Sequence, residues 1–110
     1  MADAARQVVY IADDLPSSAL AAAQEWFAHH HQDAHAKFVN DAADTLVILL
    51  PPAPYDHADW RRALARDAAR EHTPRRINVI AAPDRAVAQP LLDYLLNAPG
   101  VTGQYFETHD

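Results

Sequence analysis

The 110-residue sequence predicts a single small α/β domain in which four mostly parallel strands alternate with three helices, in the order β-α-β-α-β-α-β. Three observations carry this expectation. Short apolar runs at 7–12, 45–50 and 77–82 are each cut off by aspartate or proline, as strands covered on both faces of a parallel sheet are. The stretches between them place apolar residues at helical spacing. Half of the residues are apolar and no repeat or linker divides them, so one core over residues 1–110 is expected.

The first strand is Gln7 to Ala12 (QVVYIA), stopped by Asp13-Asp14-Leu15-Pro16. Pro16 and Ser17 suit a helix start, with Leu20, Ala23 and Phe27 on one face and fraying expected at His29 to His31. A polar connection through His35 and Asn40 then leads to Thr45–Leu50 (TLVILL), ended by Pro51, Pro52 and Pro54. Asp56 and Asp59 fit the cap and first turn of a second helix lined by Trp60, Leu64 and Ala68 and closed at Thr73-Pro74. Ile77 to Ala82 (INVIAA) is the third strand. Pro90 is expected to open the last helix through Leu91, Leu92, Leu95 and Leu96, and Thr102 to Thr108 the last strand. With strands in simple sequential order and right-handed crossovers, all three helices fall on one face and the other is left apolar and open. If the first connection runs the opposite way, the helices divide between both faces.

Composition removes several function classes. There is no cysteine, so disulfides, thiolate metal sites and thiol nucleophiles are absent and a reducing cytoplasm is the natural setting. A net charge of −6 opposes attraction to a phosphate backbone, so nucleic acid is not an expected partner. No apolar stretch is long enough for a membrane span, and Met1 to Gln7 has no signal-peptide core.

The constellations are few. His31 and His35 stand one helical turn apart, a spacing that suits two metal ligands, but no third or fourth ligand follows from spacing and no metal or cofactor is expected. Arg62, Arg66 and Arg70 form a stripe at intervals of four, interleaved with Asp59, Asp67 and Glu71 as a solvated face or a docking surface. Asp13-Asp14 reads as a turn and helix-capping pair. No Ser-His-Asp set or paired carboxylates can be assembled from spacing.

Arg76-Ile77-Asn78-Val79-Ile80-Ala81-Ala82-Pro83 resembles a strand usually written R-V-N-x-V-x-P-G, and Val101-Thr102-Gly103-Gln104 resembles a T-G-Q that opens a final strand. Asp44-Thr45-Leu46-Val47 is similar to a D-x-L-V run, and the segment around Trp60 to a helix headed by "DW". Together these resemble the short-chain dehydrogenases, which implies a small Rossmann-like domain. The match slips at Thr108-His109-Asp110, where the family has V-D-G-G. A dinucleotide site needs glycines after the first strand, and here Ala12 to Ser18 has none and carries two carboxylates. The family's Tyr-x-x-x-Lys is absent, since Lys37 is the sole lysine.

The resemblance therefore implies a non-catalytic subunit that pairs with itself or with a full-length dehydrogenase. Its surfaces would be the mid-chain helix and the last helix and strand, through Leu92, Tyr94, Leu95, Phe106, Arg62, Arg66 and Arg70. A second reading keeps nucleotide binding in an active site completed by another chain. A third is suggested by receiver domains, which also carry an acidic pair after the first strand. Leu50 or Pro51 stands where their phosphorylated aspartate would be, so only a degenerate receiver is admissible. Such a domain places its second strand on the far side of the first.

Overall fold

Strands β1 (Gln7–Ile11), β2 (Thr45–Leu50), β3 (Arg76–Ala81) and β4 (Tyr105–Glu107) form one parallel sheet in sequential order in a computed structural model that describes residues 6–108. Residues 1–5, which include most of the stretch read as lacking a signal-peptide core, lie outside the described residues, as do His109 and Asp110. The register runs Gln7↔Thr45 and Thr45↔Arg76 across the three long strands, with Val79↔Tyr105 on the short fourth. Every residue of β2 is buried, because this strand is flanked on both sides and covered on both faces. The sequential order overturns the receiver reading, since β2 lies between β1 and β3.

Alternation along each strand divides the core into two layers. Val8, Leu46, Ile48, Leu50, Ile77 and Val79 point to one face, where they meet Trp26, Phe38, Leu64, Ala65 and Ala68. Val9, Val47, Leu49 and Ile80 point to the other and meet Ala88, Leu92 and Leu95. The helices thus divide between the faces despite the sequential strand order, and neither face is left open. The connection through the last helix has the opposite hand to the two before it, because the step between strands is the same and the covered face is not. Right-handed crossovers throughout a sequential sheet would instead place all three helices on one face.

The first helical region is longer than its polar sequence suggests. Helix α1 (Ala19–Glu25) passes through a π-helical turn, Trp26–His30, directly into α2 (His31–Asn40). Fraying at His29 to His31 and a polar connection at His35 are therefore corrected to continuous helix. The inward positions Ala22, Trp26, Ala34 and Phe38 lie at multiples of four residues. In a regular helix that spacing drifts by about 40° per step. The π turn, in which the His31 amide donates to the Trp26 carbonyl, takes back part of the drift. His30 holds the turn in place: its ring stacks on Trp26 at 5.6 Å, and its Nδ1 is hydrogen-bonded to the Tyr10 hydroxyl at 3.0 Å. Burial, then the negative charges of Asp33 and Asp14, push the Tyr10 phenol pKa up.

Several boundaries shift for local reasons. Ser18, not Asp13 or Asp14, caps α1, its Oγ accepting from the Ala21 amide. The face named above is the outer one, since Leu20 and Phe27 are exposed. Asp56 caps nothing: a 3₁₀ turn, Tyr55–His57, runs into α3 (Ala58–His72), which has no side-chain cap bond. The last helix, α4 (Arg85–Leu96), begins before Pro90, because Asp84 accepts from the Val87 amide and fixes the start. Pro90 then sits inside the helix on its exposed side, where water can satisfy the carbonyl freed by the missing N–H.

The eight residues between α4 and β4 are pinned by β3. Arg76 donates to the carbonyls of Leu95 and Ala98, closing the end of α4. The Ile77 amide donates to Thr102 Oγ1 at 3.0 Å. Asn78, wholly buried, donates to the Val101 carbonyl at 3.1 Å and accepts from the Gln104 amide at 3.1 Å. Gly103 takes φ +74°, a left-handed conformation, and lies against α3, where an added Cβ would be 3.4 Å from Ala69 Cβ. Asn78→Leu is expected to lower the unfolding free energy by about 2 kcal/mol, by removing both part-buried hydrogen bonds that hold the Val101 carbonyl and the Gln104 amide. Urea unfolding followed by circular dichroism measures it.

Candidate functional site

Ligands of open α/β sheets bind outside the C-terminal ends of the strands. Here β1, β2 and β3 run out at Ala12-Asp13, Pro51 and Ala82-Pro83-Asp84, around a cleft of about 200 Å³. Asp13, Asp84 and Arg85 are its charged groups. An adjoining cleft of about 300 Å³ opens between the 13–17 and 51–54 loops, with His57 and Arg61 against its floor.

This edge is poorly made for a pyrophosphate. Pro51, Pro52, Pro54 and Pro83 have no N–H to offer, and the amides of Ala12 and Ala82 are spent on the carbonyls of Leu49 and Leu50. Glycine, the residue that most readily lets successive amides turn toward one anion, is absent from all three strand ends. Two of the three charged groups in the first cleft are carboxylates. A nicotinamide dinucleotide, the cofactor implied by the resemblance, does not fit the residues present.

Two polar residues under the second cleft were not singled out in the sequence. Arg61 is 1 % exposed, yet no carboxylate pairs with it among the described residues. Its guanidinium donates to the Pro51 carbonyl at 2.8 Å and to the Tyr105 hydroxyl at 3.2 Å, and lies over the rings of Trp60 and Tyr105. It ties α3 to the ends of β2 and β4. His57 is buried as well: Nε2 donates to the Ser17 carbonyl at 2.9 Å while Nδ1 accepts from Trp60 Nε1, which fixes the orientation of the ring. The helical period carried a signal for Arg61, which stands three, four and seven residues before Leu64, Ala65 and Ala68 on the buried face. Its place in a basic run obscured that signal.

The residues expected at an association surface separate into two groups. Leu92 and Leu95 are wholly buried beneath α4, against the chain's own sheet, and offer nothing to a partner. The correction is one of helix phase: Tyr94, between them, is 55 % exposed. Phe106 is half-buried on the terminal strand of the sheet. Arg62, Arg66 and Arg70 are exposed along α3. Arg62 approaches Asp59 at 4.0 Å and Arg70 pairs with Asp67, while Arg66 faces the loop containing Gly103 and makes no ion pair among the described residues.

The histidines scatter. His29 is exposed and His30 serves the π turn. His35 turns toward the end of α3, where it meets Glu71 and His72, ligand types that spacing along α2 could not supply. Burial lowers the His72 pKa, followed by repulsion from His35, with Arg75 and His31 adding to it and Glu71 opposing.

Among the described residues, no helix is long and apolar enough to cross a membrane. Neither the curated proteins nor the solved structures searched give a match. A family model described as short chain dehydrogenase-like protein matches residues 10–108, from the end of β1 past the end of β4. The match takes in both halves of the knot formed by Arg76-Ile77-Asn78 with Val101 to Gln104, and the chain belongs to the short chain dehydrogenase-like family.

Proposed function

We propose that this chain is a non-catalytic member of its family that acts by association, with a second copy or with a full-length dehydrogenase, through the outer side of α4 and β4 and the arginine stripe of α3. The observation that carries the reading is the C-terminal edge of the sheet, where prolines and the carboxylates of Asp13 and Asp84 replace the glycines and free amides that a dinucleotide requires. The reading is also supported by what the framework keeps. The α4–β4 connection is tightly built, Tyr94 stands exposed on its helix, and β4 is a three-residue terminal strand with one neighbour. Tyrosine is a common interface anchor because its ring is large and loses little conformational entropy.

Calorimetric titration of the chain with NAD and NADP tests the cofactor side of this reading. No binding tighter than millimolar is expected. Sub-millimolar binding of either nucleotide would favour the reading in which the chain supplies the nucleotide-binding part of an active site completed elsewhere.

A further inference from the structure

A second site lies away from the strand ends, where α2 packs against the last turn of α3. His35 Nδ1 and His72 Nε2 are 3.0 Å apart, and one ligand atom from each of His35, Glu71 and His72 lies within 4.8 Å of the other two. We propose that His35, Glu71 and His72 bind a divalent transition-metal ion of the zinc class. A hydrogen bond between the two rings accounts for the 3.0 Å contact, but it gives the Glu71 carboxylate beside them no role.

The donor set selects the ion. Two imidazole nitrogens and one carboxylate oxygen suit zinc, whereas magnesium and calcium prefer oxygen alone. Tetrahedral coordination at about 2.1 Å would hold ligand atoms about 3.4 Å apart, so the histidine pair needs to open only slightly. Glu71 has the longer path to close, and it is free to do so as an exposed side chain on the final turn. The carbonyl end of α3 presents its negative pole to a cation. The His72 ring is steadied edge-on against Phe38 at 5.5 Å. His31 borders the same small cavity as His35 and His72 and stands one turn before His35; water would fill the fourth position. Arg75, which lies over the Phe38 ring at 5.1 Å, is the adverse charge. The bound ion would clamp α2 to α3.

The test is calorimetric titration of the tag-free, chelator-stripped chain with zinc chloride, alongside thermal unfolding. One ion per chain is expected to bind with a micromolar or tighter Kd and to raise the unfolding midpoint by several degrees. His35→Gln and Glu71→Gln alter exposed side chains and preserve the fold, so each is expected to weaken zinc binding by tenfold or more, while His29→Gln leaves it unchanged. Absence of binding overturns the proposal. So does binding that survives both His35→Gln and Glu71→Gln, since the ion would then be held by other histidines.

Discussion

Trp26→Ala is expected to lower the unfolding free energy by about 3–5 kcal/mol, the range for emptying a large aromatic site in a core, whereas Phe27→Ala should change it by less than about 1 kcal/mol. The two positions are adjacent, and either could belong to an apolar stripe. Trp26 is fully buried, meets Tyr10 edge-on at 5.7 Å and stacks on His30. Phe27 is 51 % exposed. Urea denaturation of both variants reads the difference. Equal losses would mean that the helix is rotated, or broken at the histidines, and that the π turn does not form.

The second large effect lies on the opposite face of the sheet. Leu92→Ala is expected to cost about 2–5 kcal/mol, because Leu92 is fully buried among Val9, Val47, Leu49 and Ile80. Tyr94→Ala should leave the stability of the isolated chain within about 1 kcal/mol and act instead on association. This contrast separates a core role from an interface role within a single turn of α4. If Leu92→Ala left stability intact, α4 would not cover this face, and the opposite-handed final connection would fall with it.

β2 and β3 were legible because Leu46 to Leu50 and Val79 to Ala82 are apolar runs closed by proline, whereas the last strand, expected over Thr102 to Thr108, is only Tyr105–Glu107 because residues up to Gln104 are held by bonds to Ile77 and Asn78 instead. Helix phase was harder to read. Leu20-Ala23-Phe27 and Ala22-Trp26 are both apolar stripes, and only contact with Tyr10 and the sheet decides between them. The start of α4 was misplaced because proline favours a first helical position, yet the Asp84 cap bond holds the start upstream and tolerates an exposed Pro90. The face that α4 covers does not follow from its amphipathic pattern, since Ala88, Leu92 and Leu95 would suit either side of the sheet. Tertiary proximity hid the rest: His35 and His72 are 37 residues apart, and Asn78 meets Gln104 only once β3 and β4 are paired. The resemblance between Arg76-Ile77-Asn78, Thr102-Gly103-Gln104 and the family's motifs was legible as a pattern. Its physical content is the set of hydrogen bonds that close α4 and deliver the chain to β4.

An account in which the framework is kept for association makes its most direct commitment about mass in solution. Size-exclusion chromatography with light scattering on the full chain is expected to give twice the 12.2 kDa chain mass, or a stoichiometric complex with a full-length dehydrogenase from the same source, and Tyr94→Asp should dissociate either assembly. A monodisperse 12.2 kDa species, both alone and mixed with that dehydrogenase, would contradict it.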